Sequence, residues 1–276
     1  MKKVASYALF GNRPDAGGTT RDFYWEFIPA LVRSHHNLFP DWELRIHVDS
    51  TKNESRSKYL RAYEKAGLLV AKYIEENKST CRSMLWRLLP LWDEDVSYVM
   101  CRDIDASPTL KDRIATEEFI NSGCTLHCLN DNPAHCVPMM GGLVSFNAMK
   151  FRSLAPWRSW DELISLGSRY NLDNPSGGPD QNLQSHEIYP HLYPHDICCH
   201  RFSGMPMEKD IKHCYNSVTL PPPEDIIKSV VLNNFDVLIP HLGCAGYPVH
   251  KVVEFFDTYG RKEVTAAVIK AETQAE

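Results

Sequence analysis

The sequence predicts an α/β protein in which helices flank a mainly parallel central sheet, and three observations carry that prediction. Short runs of β-branched and aromatic residues alternate with longer runs of helical period through the first hundred residues. The connections between them are short, as repeated strand-helix units with parallel strands require. The run Val96–Arg102 reads as a buried strand and ends in Asp103-Ile104-Asp105, an acidic pair at the edge where open α/β sheets bind ligands.

Each element follows from local pattern. Residues 4–10 are apolar enough for a first strand, and residues 20–35 set Phe23, Phe27, Ile28, Leu31 and Val32 at helical spacing. After the turn signal Pro40-Asp41, residues 43–48 read as a second strand. Residues 55–66 are helical, with Tyr59, Leu60 and Tyr63 on one face; residues 67–73 are a third strand and residues 81–92 a third helix. Ser107-Pro108 supplies an N-cap and a first-turn proline for a helix over residues 109–121.

The C-terminal half is more irregular. Residues 125–129 and 137–146 read as strands, followed by a Trp-rich helical stretch through Trp157, Trp160, Leu163 and Ile164. Residues 171–179 form an Asn/Pro/Gly loop, residues 181–188 a helix, and residues 190–200 a loop. Pro221-Pro222-Pro223 is a rigid connector, residues 249–259 a last helix, and residues 261–276 a tail that frays after Val268. With no internal repeat and no linker, a single domain over residues 1–276 is expected.

At 276 residues, 43% hydrophobic and 24% charged, the composition is that of an ordinary globular chain able to bury a large core. The net charge is −5 with a pI near 6.2, and no basic run is long enough to track phosphates, so nucleic acid is not an expected partner. No apolar stretch approaches the ~20 residues that would span a bilayer. Met1-Lys2-Lys3 and the apolar run after it run into Gly11-Asn12-Arg13-Pro14 rather than a small-residue cleavage site, and read as a strand. Nine cysteines, odd in number and irregularly spaced, point to free thiols in a reducing compartment; the expectation is cytoplasmic.

Several residue groups have the composition of a site. In an extended chain, residues two apart point the same way, so Asp103 and Asp105 are expected to converge on one cation. The alternative is that they only cap the helix that follows. Gly11, with Gly17-Gly18 ahead of a helix, would offer backbone N–H groups to an anion or simply permit a turn. Gly141-Gly142 inside a strand means a bulge or a close approach to the backbone. Asp180 sits at a helix start, where an N-cap alone would explain it. Asp131 and His135 could position an acceptor or move a proton, or could stabilise a polar loop. Cys124, His127, Cys128, His135 and Cys136, with His195, Cys198, Cys199 and His200, form two Cys/His groups. They satisfy only half of a zinc spacing and otherwise read as buried small residues.

Taken in order, these segments resemble those of the GT-A-fold nucleotide-sugar glycosyltransferases, in particular bacterial and viral members. The resemblance rests on Arg102-Asp103-Ile104-Asp105 preceded by the segment 84–90, on the segments 40–49 and 130–135, on Gly141 to Asn147, on Gly178-Pro179-Asp180-Gln181-Asn182-Leu183, and on His241-Leu242-Gly243. It covers residues 3–259.

It implies a GT-A, Rossmann-like sheet with a nucleotide-binding half (residues 1–105) and a sugar and acceptor half (residues 106–260). It implies Mn²⁺ or Mg²⁺ on Asp103, Asp105 and His241. The donor, a UDP- or GDP-sugar, would lie against Ser6, Tyr7, Ala8, Gly11, Arg87, Arg102, Gly141 and Gly142. Asp180 and Gln181 would lie beside the anomeric carbon, Asp131 and His135 would be catalytic, and His195-Asp196 would wall the site. The implied reaction is transfer of a sugar to a glycan or other hydroxyl-bearing acceptor with retention of configuration. The competing expectations are a catalytically silent nucleotide-sugar-binding module and a zinc-stabilised hydrolase or interaction protein built on the Cys/His groups.

Overall fold

A computed structural model of the chain describes residues 1–10, 13–14, 20–21, 23–49, 57–75, 81–130, 137–173, 178–201, 209–216 and 249–275. The strands are β1 (Lys2–Leu9), β2 (Arg13–Pro14), β3 (Thr20–Arg21), β4 (Glu43–Asp49), β5 (Val70–Ile74), β6 (Val96–Arg102), β7 (Leu126–Asn130), β8 (Leu143–Asn147), β9 (Ile197–Arg201) and β10 (His213–Asn216). The helices are α1 (Ile28–Leu38), α2 (Ser57–Lys65), α3 (Cys81–Met84), α4 (Leu110–Ser122), α5 (Ala148–Leu154), α6 (Trp160–Ser165), α7 (Pro179–Leu183), α8 (Tyr189–Leu192), α9 (Val249–Tyr259) and α10 (Lys262–Thr273).

Eight strands make one sheet of order β10-β9-β7-β8-β6-β1-β4-β5, and β2 and β3 form a separate antiparallel ribbon. The pairs β1–β6, β4–β5, β7–β9 and β9–β10 are parallel; β8 runs antiparallel to both of its neighbours. The expected mainly parallel α/β class is the one observed.

The chain divides into two compact units. One comprises Met1–Ser6, Lys78–Arg102 and Lys111–Leu220; the other comprises Tyr7–Asn77, Asp103–Leu110 and Pro221–Glu276. In the first, Val99, Cys101, Leu126, Cys128, Val144 and Phe146 from β6, β7 and β8 are fully buried with Leu85, Leu88 and Phe151. Trp92 packs edge-on against Phe151 and Trp160, at 5.8 and 6.2 Å between ring centres. Arg152 holds the start of β6 in place, donating to the carbonyls of Leu91, Asp93 and Val96 at 2.8, 2.9 and 3.0 Å. Asn147 ends β8 and caps α5, its side chain accepting from the Lys150 N–H.

In the second unit, Ala30 of α1 packs with Val252, Phe255 and Phe256 of α9. Arg33, 2% exposed, donates to Asp257 of α9 at 2.7 Å and to Glu272 of α10 at 2.8 Å.

Several local expectations are corrected. Residues 81–92 are only one α-turn, α3, followed by a 3-10 helix Leu85–Trp92; Pro90 inside it has no N–H to sustain an α-helical ladder. The strand expected over residues 137–146 is confined to Leu143–Asn147, because Pro138 and Gly141-Gly142 hold the preceding residues in turns. Residues 190–200, expected as a loop, finish α8 and then enter β9, all five residues of which are buried. The tail expected from residue 261 is helix α10, with Val264, Val268 and Ala271 buried on one face. The residues expected as a strand before His241 lie outside the described residues.

Candidate active site

The acidic pair follows β6 directly, but not as a continuation of the strand. β6 ends at Arg102, and Ile104-Asp105 occupy a tight turn closed by the Ala106 N–H donating to the Asp103 carbonyl at 3.0 Å. The strand alternation that would aim both carboxylates one way therefore does not apply to them. Asp103 is exposed, whereas Asp105 is 6% exposed and sits among the buried residues Ile104, Ala106 and Ser107. A solvent-facing and a recessed carboxylate in one turn still offer hard oxygen donors of the kind Mn²⁺ and Mg²⁺ take. The turn then runs through Ser107 and Pro108 to α4, which begins only at Leu110: Pro108 precedes its first turn, and Ser107, whose hydroxyl has no hydrogen-bond partner among the described residues, does not cap it as expected.

Ser6 lies beside this strand end: its Cα registers with Cys101 across the parallel β1–β6 pair. Ser6 is fully buried and its hydroxyl has no hydrogen-bond partner among the described residues. Tyr7, next in β1, is fully buried too, and Ala8 is partly exposed.

In the first unit, four of the residues expected at the donor come together. Arg87 donates to Asp180 Oδ2 at 3.2 Å, and both side chains are almost fully buried. Gly141 passes so close that a Cβ built on it would stand 2.5 Å from Asp180 Oδ2, 3.1 Å from an Arg87 nitrogen and 3.4 Å from Gln181 Cγ. The sequence could suggest a close approach at Gly141-Gly142, and the structure names the neighbour: the Arg87–Asp180 ion pair. Asp180 belongs to the first turn of α7, after Gly178 with φ of 114°, and the N-cap position is held by Gly178 and not by Asp180.

Arg102 is held by buried partners on three sides. Its guanidinium is 1% exposed and turned inward, donating to Asp112 of α4 at 3.2 Å and to the carbonyls of Cys101 and Val144 at 2.8 and 3.0 Å. It fastens β6 to α4 and to β8. Asp112 was not legible as its partner, because nothing in the spacing of a helical carboxylate identifies a strand arginine ten positions earlier. Gly142 is buried ahead of β8. Gly11, Asp131, His135 and His241 lie outside the described residues.

The Cys/His groups resolve unexpectedly. His127 on β7 and Cys198 and His200 on β9 bring their ligand atoms within 4.8 Å of one another, the one such three-residue group of His, Cys, Asp or Glu among the described residues. His195 and Asp196 lie before β9; the Asp196 side chain accepts from the Thr125 N–H at 2.9 Å, a backbone tie ahead of β7. The described cysteines are free thiols. Among the described residues no helix is long and apolar enough to cross a membrane.

No protein-family model matches the chain, and no curated protein does. Among solved structures it is similar to a mannosyltransferase, PcManGT from Pyrobaculum calidifontis, determined in complex with GDP-Man and Mn²⁺. That likeness covers 99% of this chain and 74% of the other, at a TM-score of 0.40 and 12% identity. It is too distant to carry an activity or a residue's role across.

Proposed function

We propose that this chain is a metal-dependent glycosyltransferase, moving a sugar from a nucleoside diphosphate (UDP or GDP) to a hydroxyl of a glycan or similar acceptor with retention of configuration. The observation that carries the reading is the Asp103-Ile104-Asp105 turn at the carboxyl end of a parallel strand of an α/β sheet, leading straight into a helix. Residues 1–105 would serve mainly the nucleotide and residues 106–260 the sugar and acceptor.

Asp103 and Asp105 would hold the cation, with His241 as the third ligand. When bound, Mn²⁺ or Mg²⁺ supplies Lewis-acid stabilisation of the charge that develops on the departing diphosphate. Ser6, Tyr7 and Ala8 would meet the base, and Gly11 the phosphates. Asp180, oriented by the buried guanidinium of Arg87, would accept hydrogen bonds from sugar hydroxyls, with Gln181 beside it. Gly141 and Gly142 would let the sugar reach the backbone. Asp131 and His135 would position the acceptor and take its proton. Arg102 acts as a positioning residue, fixing the strand end from which the acidic turn departs.

The direct test is turnover of purified protein with a panel of nucleotide-sugars and Mn²⁺. Asp105→Ala should lower the rate of transfer, or of slow donor hydrolysis, by a factor on the order of 10²–10⁴ while the protein remains folded. Near-normal turnover in that variant overturns the assignment. Tight donor binding by wild-type protein with neither hydrolysis nor transfer would instead identify a silent binding module.

A further inference from the structure

We propose that His127, Cys198 and His200 bind a zinc ion, with the Glu118 carboxylate orienting one of the two imidazoles. The site uses none of the residues assigned to the donor or its cation.

Its geometry follows from strand register. β7 and β9 are parallel neighbours in which His127 pairs with Cys198 and Leu129 with His200. Residues 198 and 200 are two apart on one strand and so share a face, and position 127 lies alongside 198 on that same face. The three side chains are 0 or 1% exposed, so the group is closed off from bulk solvent. The ring of Phe119 stacks on that of His127, 5.1 Å between centres and 9° from coplanar, which fixes the plane of the imidazole.

The hydrogen bonds around the rings set their tautomers before any metal enters. His200 Nε2 lies 2.6 Å from Glu118 Oε2, so its proton is on Nε2 and its Nδ1 carries a lone pair. That lone pair faces His127 Nε2 at 2.9 Å, which must then be the donor. The consequence falls on His127 Nδ1: it is left as an acceptor, buried, with no hydrogen-bond partner among the described residues.

A zinc ion between the rings changes this arrangement. His200 coordinates through Nδ1 while its Nε2–H stays on Glu118, the carboxylate–histidine–metal relay that fixes ring orientation at metal sites. His127 coordinates through Nε2 and holds its proton on Nδ1. The Cys198 thiol becomes a thiolate and its proton leaves to solvent; no electron is transferred. Two imidazole nitrogens and one sulfur suit borderline-soft zinc and not Mg²⁺ or Ca²⁺. With Zn–N bonds of about 2.0–2.1 Å, a tetrahedral centre needs the two nitrogens about 3.3–3.4 Å apart, so the rings must open by about half an ångström from their present contact. A water completes the four-coordinate shell. Glu118, its side chain 47% exposed, connects the buried group to the surface.

Zinc content and a Co²⁺ titration test the site independently of any nucleotide-sugar. Chelator-washed wild-type protein reloaded with zinc and desalted should retain about one equivalent, and the Asp103→Ala/Asp105→Ala double variant should retain as much. Co²⁺ should produce a thiolate-to-metal charge-transfer band in the wild type. Cys198→Ser should lose it and Cys81→Ser should keep it. Glu118→Gln should weaken zinc binding about 10–100-fold. If Cys198→Ser does not fold, the wild-type cobalt spectrum and the Glu118→Gln titration still decide the matter. A folded wild type with no thiolate band and no retained zinc overturns the proposal, as does a band that persists in a folded Cys198→Ser.

Discussion

Gly141 and the Arg87–Asp180 ion pair occupy each other's space, which makes position 141 sensitive to a single methyl group. Gly141→Ala would put a Cβ 2.5 Å from Asp180 Oδ2, inside van der Waals contact, in a place where the acceptor atom is itself held by Arg87. The side chain of Asp180 must move or the backbone must. Thermal unfolding of Gly141→Ala should show a loss of about 1–3 kcal/mol, the usual cost of overpacking an interior. If Asp180 orients the donor sugar, the same variant should also lose turnover; a stability loss with unchanged turnover would restrict the pair to a structural role. Two histidines make a separate prediction. Burial pushes His35 down to about 3, with His36 adding to the effect, and burial with Arg45 and Lys72 nearby pushes His47 down to about 3 as well. Both are neutral in the fold and titrate near pH 6.5 when unfolded. A folded-state value below the unfolded one means stability present above pH 6.5 and lost as pH falls from there toward pH 3. Each histidine should contribute a slope of about 1.4 kcal/mol per pH unit below pH 6.5. Urea midpoints at pH 7 and pH 5.5 would measure it, and His47→Leu should flatten the dependence.

Among the elements, α10 is where local pattern and observed structure part furthest. Its sequence carries the necessary apolar spacing at Val264, Val268 and Ala271, yet a C-terminal segment of this composition reads as a fraying tail. What holds it is Glu272, which accepts from the buried Arg33 of α1 and from the Tyr63 hydroxyl of α2. Burial alone would raise the Glu272 carboxyl, but the hydrogen bonds from Arg33 and Tyr63 prevail and keep it below the ordinary carboxylate value. The stabilisation is therefore complete above the unfolded value near pH 4.5 and lost as pH falls through the lower folded one. Glu272→Gln should cost about 1–2 kcal/mol at neutral pH, discounted for the partial exposure of the carboxylate, and should remove that acid-side increment. Urea unfolding of the two proteins at pH 7 and pH 4 would decide; equal stability at pH 7 would show that α10 is held by its apolar face alone. β9 escaped detection for a different reason. Ile197-Cys198-Cys199-His200-Arg201 has neither alternation nor a β-branched run, and it is buried because β7 and β10 flank it. By contrast β6, a β-branched and aromatic run ended by charge, was legible to the residue.

For the chain as a unit, composition and periodicity were sufficient to settle the α/β class and the mainly parallel sheet, since strand-helix alternation with short connections leaves few other topologies. They also located the acidic turn, and the glycine pair whose first member meets Arg87 and Asp180, because those signals are local in the sequence. The inward turn of Arg102 onto Asp112 and the gathering of His127, Cys198 and His200 were not legible. Each depends on which elements lie side by side, and that packing joins residues ten to about seventy positions apart whose identities carry no mark of the partnership. Short-range physics wrote the strands, the helices and the acidic tripeptide into the order of amino acids. Long-range pairing chose which buried side chains meet, and with it the chemistry that the interior of this protein can perform.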